Sequence, residues 1–433
     1  MSFNKNKFGL VFFLLVAFIE FPLRLKGMGI ISSLFLYALP ITYIFFNLGW
    51  VVQVFTELKK SVFFLVLIGY MYLLGISLLL PILFGTFDFS FLTIYWFGFS
   101  AFFLKNLFLI IAFDKYFATN NGSKVEQFIN YFLNALTLYI SFSLVLILIP
   151  SLRSLLLNIL EIDSKFANYL TLPTFLTRFG WSGWSGFDFT IWSTLGVLFC
   201  IVLSVFYKNN RKKQVRYLMR IPIYIMGNMF YGRTGLVVSA ISLVVLVFIL
   251  AVNLKFGYLI KVMLLGASGI ILLVFVKSHI SFLNEWYNWM FSAFINFYQK
   301  GRFVDNVGSV SRLKEMYWIP EISTLLFGDF KYTDLGHYYM STDIGFMRHL
   351  LFYGIINYFL EVLFAVSVGF KFVRIFFKKF NLDRFLLSIL MVLVIVMFEM
   401  KGETLFYIIS IILPIVMLAV KERKIDHSNH VHL

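Results

Sequence analysis

Residues 235–253 read GLVVSAISLVVLVFILAVN, a run without a single Asp, Glu, Lys or Arg. About 20 consecutive apolar residues in a helix are enough to cross a bilayer, so this stretch predicts a membrane span. Comparable apolar runs lie near 8–23, 28–47, 61–81, 91–113, 131–150, 190–207, 218–232, 257–277, 345–369, 384–399 and 404–420, which makes twelve candidate helices. The one near 218–232 is short, and Arg220 and Pro222 interrupt its start. Whole-chain composition agrees. Of 433 residues, 61% are hydrophobic and only 13% charged, against roughly a quarter charged in soluble domains. High hydrophobicity also excludes a disordered chain. The expected fold class is an all-α polytopic integral membrane protein of about 12 transmembrane helices with two larger outward loops. The 56 phenylalanines read first as lipid-facing bulk.

The net charge is +16. In a soluble protein such a balance suggests nucleic acid; between apolar spans it reads instead as the positive-inside bias and contact with anionic lipid headgroups, so no nucleic-acid partner is expected. Three basic clusters carry most of it: Lys208, Arg211, Lys212, Lys213 and Arg216; Lys371, Arg374, Lys378, Lys379 and Arg384; and Lys421, Arg423 and Lys424. Twelve spans with both termini inside put all three clusters on the cytoplasmic side. The chain then divides into spans 1–5 (1–150), an outward segment (151–189), spans 6–9 (190–277), a large outward segment with amphipathic helices (278–344), spans 10–12 (345–420) and a cytoplasmic tail (421–433). In the large segment, Phe282, Leu283, Trp286, Met290, Ala293, Phe294 and Phe297 recur at helical spacing, the pattern of a helix lying on a membrane surface. A short helix is expected around Ser311–Trp318. Pro320 should open the next one, and Gly328 sits where a helix ends. Lys5 and Lys7 precede an apolar stretch with no small-residue cleavage site, so the first span is read as uncleaved. Cys200 lies alone in an apolar run, which excludes an internal disulfide and a cysteine metal site.

Residues able to carry chemistry concentrate on the outward side. There is no P-loop glycine motif and no HExxH spacing; no metal site and no cofactor are expected, and His427, His430 and His432 read as a solvated tail. Outward arginines run against the positive-inside bias, so each invites a reason, and the guanidinium fork suits phosphate. Arg178 stands in Thr177-Arg178-Phe179-Gly180-Trp181-Ser182-Gly183-Trp184-Ser185-Gly186, Arg233 in Gly232-Arg233-Thr234-Gly235, and Arg312 opens a stretch that ends at Gly328. Arg302 and Arg348 are also outward. Asp343, in Ser341-Thr342-Asp343-Ile344-Gly345, is placed both to cap the tenth span and to act as a base, with His337 six residues before it. Glu403 beside Lys401 reads as a local ion pair. Most charges fall in loops, with Lys105 and Lys261 the clearest exceptions, which argues for chemistry at one membrane face over a charged path through the spans.

The arrangement resembles the Wzy-type O-antigen and polysaccharide polymerases of bacterial inner membranes. Gly232-Arg233-Thr234-Gly235 is similar to the arginine turn that these polymerases share with O-antigen ligases. Arg312 to Gly328, ending in Leu325-Leu326-Phe327-Gly328, resembles the arginine-to-glycine element of their large periplasmic loop. Thr342-Asp343-Ile344-Gly345-Phe346-Met347-Arg348 with Leu351-Phe352-Tyr353-Gly354 resembles the segment that enters the next span. The ligases' His-Asn pair is missing, because Tyr338 follows His337; this favours polymerase over ligase. The resemblance implies metal-independent transfer of a growing glycan from undecaprenyl pyrophosphate onto a new lipid-linked repeat unit at the periplasmic face. Arg178, Arg233, Arg312 and Arg348 would bind pyrophosphate, and Asp343 or His337 would act as base. The partners implied are the undecaprenyl-pyrophosphate-linked oligosaccharide, membrane lipids, a chain-length regulator and a flippase. A flippase for the same lipid-linked units and an O-antigen ligase are the alternative functions.

Overall fold

The computed structural model describes residues 5–119, 122–163, 166, 168–172, 175–255, 257–258, 260, 281–301, 315–334 and 336–431. Its helices, in chain order, are α1 (Lys5–Glu20), α2 (Gly29–Phe46), α3 (Leu48–Leu58), α4 (Phe63–Leu83), α5 (Leu92–Phe117), α6 (Lys124–Leu148), α7 (Pro150–Ile159), α8 (Phe187–Phe206), α9 (Arg211–Leu218), α10 (Ile221–Tyr231), α11 (Arg233–Val252), α12 (Ser281–Met290), α13 (Ser292–Lys300), α14 (Ile322–Phe327), α15 (Gly345–Phe376), α16 (Leu382–Glu399) and α17 (Leu405–Val431). The only strands among the described residues form two hairpins, β1 (Phe179–Gly180) with β2 (Gly183–Trp184) and β3 (Thr333–Asp334) with β4 (His337–Tyr338). The protein is therefore all-α. Among the described residues, eight helices, α2, α4, α5, α6, α8, α11, α15 and the Leu405–Arg423 part of α17, are long and apolar enough to cross a membrane. Large apolar side chains such as Ile30, Phe46, Leu83 and Val244 are mostly exposed, as a lipid-facing surface requires and a water-facing one avoids.

Four of the twelve expected spans are not among these eight helices, and a fifth, α15, is interrupted. The run near 8–23 forms α1, of 16 residues, and the run near 384–399 forms α16, of 18 residues with Asp383, Arg384 and Glu399 in it. The run near 218–232 forms α10, 11 residues long; at 1.5 Å per residue it reaches about 17 Å, short of the ~30 Å hydrocarbon core. The run near 257–277 falls almost wholly outside the described residues. The run near 345–369 is two helical pieces joined by a reversal at Gly354, where φ is 77°. The helix with Phe282 to Phe297 is likewise two pieces, α12 and α13, with Phe291 between them. Phenylalanine is also not only surface: Phe91, Phe128, Phe199, Phe352, Phe364 and Phe398 are buried.

The chain forms two compact units. The first comprises Met1–Leu36, Ile129–Asn306 and Lys379–Leu390; the second comprises Tyr37–Phe128, Val307–Lys378 and Met391–Leu433. The first is centred on α8, buried from Phe189 to Val205. Small residues let its neighbours approach closely, as packing between membrane helices favours. A Cβ on Gly196 would strike the Tyr224 ring, one on Gly227 would strike Ser193 and Ile140, and one on Gly235 would strike Asn228 and Thr190. Asn228 then bridges the helices, accepting from Thr194 Oγ1 (3.2 Å) and donating to Ser239 Oγ (2.7 Å).

In the second unit the reversal at Gly354 is braced by α14 and the glycine that ends it. Gly328, at φ 79°, closes α14. Asp329 and Phe330 donate their backbone N–H groups to the carbonyls of Leu351 (2.7 Å) and Phe352 (3.0 Å). The contact is reciprocal: a Cβ on Gly328 would strike the Phe352 backbone, and one on Gly354 would strike the Leu326 backbone. Only glycine combines a left-handed φ with so close an approach. The sequence segments Leu325-Leu326-Phe327-Gly328 and Leu351-Phe352-Tyr353-Gly354 are thus two sides of one backbone crossing.

Candidate functional site

The first unit holds an arginine pair. The loop after Phe175 carries Arg178 into the β1–β2 hairpin, whose tight return needs glycine: Gly183 has φ 85°, and a Cβ on Gly180 would strike the Tyr139 ring. Tyr139 OH ties down the hairpin through Ser182 (2.5 Å) and Ser185 (2.6 Å), and Thr177 Oγ1 donates to the Phe230 carbonyl at 2.8 Å. The Arg178 guanidinium lies over Phe175 (5.0 Å), Trp289 (5.3 Å) and Trp184 (5.8 Å). Arg233, the first residue of α11, lies over the same Trp289 at 4.7 Å and donates to its carbonyl (3.2 Å) and to Ser292 Oγ (2.9 Å).

Arg178 is electrostatically unsettled, and Arg233 begins α11. A cation at a helix N-terminus opposes the helix dipole, which prefers anions there. Burial first, and the neighbouring positive charge of Arg233 second, hold Arg178 down to about 10 from its ordinary 12.5. No carboxylate pairs with Arg178 among the described residues, and its Nε is buried without a hydrogen-bond partner. Two guanidiniums, a helix N-terminus and aromatic walls make a site for an anion with several oxygens.

The second unit holds a different arrangement around the α15 break. Arg348 lies against the rings of Tyr338 (3.6 Å) and Tyr332 (4.2 Å) and pairs with Glu403 at 3.3 Å, while its Nε and Nη2 are buried without a hydrogen-bond partner. His349, fully buried, faces a carboxylate from each ring nitrogen: Nδ1 is 2.7 Å from Glu361 Oε2, and Nε2 is 2.9 Å from Glu403 Oε1, though off the direction of a good hydrogen bond. Residues 12 apart on a straight helix are about 18 Å apart; His349 meets Glu361 because the chain reverses at Gly354. Tyr95 and Tyr353 both donate to Glu361, and Tyr70 lies 3.1 Å from Tyr95. Tyr332 donates to both Glu403 oxygens, at 2.7 and 2.6 Å. Glu399 accepts from Thr404 N, Thr404 Oγ1 and Leu405 N, between 2.6 and 2.8 Å, and so caps α17. Burial pushes the Glu403 carboxyl up, but Arg348 and His349 outweigh it and hold the group below its ordinary 4.5.

A cleft of about 1230 Å³ opens in the same unit beside the Gly328–Gly354 crossing. Trp318, Tyr72 and Phe84 offer ring faces in it, and Glu321, Asp329 and Asn357 offer acceptors.

Of the residues singled out from sequence, Arg178 and Arg233 come together. Arg348 is engaged by Glu403 and two tyrosines. Arg312 and Arg302 lie outside the described residues. His337 is exposed, in the β3–β4 hairpin opposite Asp334. Asp343 does not cap α15. Ile344 occupies the cap position with no side-chain cap, and Thr342 Oγ1 accepts from Ile344 N at 3.3 Å. Asp343 lies 4.0 Å from Lys401, so the expected Lys401–Glu403 pair does not form: Glu403 turns inward to Arg348 and His349. Besides Lys105 and Lys261, the exceptions read from sequence, the charges lying outside loops include Arg348, His349 and Glu361, buried on α15. His349 and Glu361 were legible only as polar residues in an apolar run, a signal that marks function in membrane helices. Comparison with protein-family models, with curated proteins and with solved structures gave no match.

Proposed function

We propose that the protein is a polysaccharide polymerase of the Wzy type. In this reading it lies in a bacterial inner membrane, with both termini in the cytoplasm and segments 151–189 and 278–344 at the periplasmic face. The observation that carries the proposal is the Arg178–Arg233 pair on Trp289. A leaving pyrophosphate gains negative charge as its bond to the sugar breaks, and fixed cations placed where that charge develops lower the barrier. Arg178, which has no carboxylate partner among the described residues, and Arg233 at a helix N-terminus supply such cations from the protein itself. In the step proposed, a hydroxyl of the incoming lipid-linked repeat unit gives its proton to a base. Its oxygen then attacks the anomeric carbon of the growing glycan, and the bond to undecaprenyl pyrophosphate breaks, with the pyrophosphate taking the electron pair. Arg312 is the third cation this reading assigns. Asp343 is the base it assigns, since that carboxylate is half exposed and only loosely paired with Lys401. The aromatic faces and acceptors of the second unit's cleft suit a saccharide.

The test is complementation of a deletion strain with Arg178→Ala and Arg233→Ala. Surface polysaccharide should show a single repeat unit without a ladder. A normal ladder at normal protein level removes the assignment. One observation favours the alternative of a flippase for the same lipid-linked units: ionisable residues buried on α15, as along a transport path. A flippase predicts loss of every surface unit, the single repeat included.

A further inference from the structure

The buried cluster of the second unit has a charge that does not balance. One guanidinium, Arg348, stands among three carboxylates, Glu361, Glu399 and Glu403, all of them buried. With the imidazole neutral, ionising every carboxyl would leave two uncompensated negative charges in the protein interior, and an interior charge without a partner is strongly disfavoured. Among the described residues, the other groups facing the cluster do not supply the missing charge. Tyr70 comes from α4, Tyr95 from α5, Tyr332 and Tyr338 from the segment before α15, and Tyr353 and Tyr358 from α15; all are neutral phenols. The Lys401–Asp343 pair is self-compensating.

Geometry says where the protons go. His349 faces a carboxylate oxygen from each of its ring nitrogens. A neutral imidazole has one N–H and leaves the lone pair of its other nitrogen facing a carboxylate oxygen; the imidazolium turns an N–H to each side. On Glu399, Oε1 accepts three hydrogen bonds, whereas Oε2 is buried and has no donor. An ionised carboxylate would leave that oxygen unsatisfied, and a carboxyl proton on it removes the defect. We propose that this cluster is a proton-binding site holding two exchangeable protons, one on His349 between Glu361 and Glu403 and one on Glu399. His349 stands before the Gly354 reversal and Glu361 after it, so the His349 proton links the two pieces of α15. The inference stands independently of the polymerase reading.

The test uses the purified full chain in detergent, with ¹⁵N-histidine NMR and infrared spectroscopy of carboxyl groups. At roughly pH 8, well above the ~6.5 of an ordinary histidine, one imidazolium signal should persist and be lost in His349→Gln. A protonated-carboxyl band should be present in the wild type and lost in Glu399→Gln, a change of one oxygen for nitrogen. Wild-type spectra showing only neutral histidines, or no protonated carboxyl, overturn the proposal without any variant. A carboxyl band unchanged in Glu399→Gln overturns the assignment of the second proton.

Discussion

The two units handle positive charge in opposite ways. In the second, Arg348 lies against two tyrosine rings, with Glu403 at 3.3 Å. In the first, Arg178 and Arg233 share one tryptophan, and Arg178 has no carboxylate partner among the described residues. Arg348 has its counter-charge beside it, whereas Arg178, with no carboxylate partner among the described residues, is available to an anionic ligand. The difference separates arginines that were alike in the sequence, each outward and each near glycine.

That contrast can be broken in order of expected effect. Arg178→Ala or Arg233→Ala should lower polymerisation by roughly 10²–10³-fold, the scale of removing a donor to developing negative charge; for Arg178→Ala the loss of stability should be small, because no carboxylate partner is orphaned among the described residues. In the second unit, Glu403→Gln should instead destabilise, by about 3–5 kcal/mol, because it strands Arg348 and His349 in the interior; thermal unfolding in detergent measures both. Gly354→Ala should cost roughly 3 kcal/mol, from its left-handed φ together with its backbone collision. Gly336→Ala, at φ 82° with open space around it, should cost only about 1–2 kcal/mol. Equal losses would mean that the Gly328–Gly354 crossing does not bear on stability. Tyr338→Ala, which removes one of the two rings against Arg348, should cost about 1 kcal/mol.

Acid should act on the second unit by the same logic. Glu403 has a folded pKa held below its ordinary 4.5. Its stabilising contribution is therefore complete above that ordinary value and is lost as pH falls through the lower folded value. Glu403→Gln should flatten the acid limb of the stability–pH curve, and an unchanged limb would show that Glu403 is not the group responsible.

Much of this was legible in the sequence, and the rest was hidden for physical reasons. Apolar runs are a direct record of lipid or core, so α4, α5, α8 and α11 fall close to where the sequence put them. The glycine-flanked turns at Arg178 and Arg233 were visible because tight backbone geometry restricts residue type. Their convergence on Trp289 was not, since it depends on contacts between residues far apart in the chain. Glu403 was assigned to Lys401 by proximity in sequence. It turns inward because Arg348 and His349, on the first helical piece of α15, present a buried positive end that a surface lysine does not match. Gly354 looked like one more small residue in a span; nothing local signals that Gly328 meets it.

The central claim is that the Arg178–Arg233 pair binds the pyrophosphate of the lipid-linked substrate. The direct measurement is binding of undecaprenyl pyrophosphate to the purified protein in nanodiscs, for the wild type and for the folded Arg178→Ala/Arg233→Ala double variant. The account predicts saturable binding to the wild type, weakened at least tenfold in the double variant and unchanged in Tyr338→Ala. Equal affinity of wild type and double variant would contradict it.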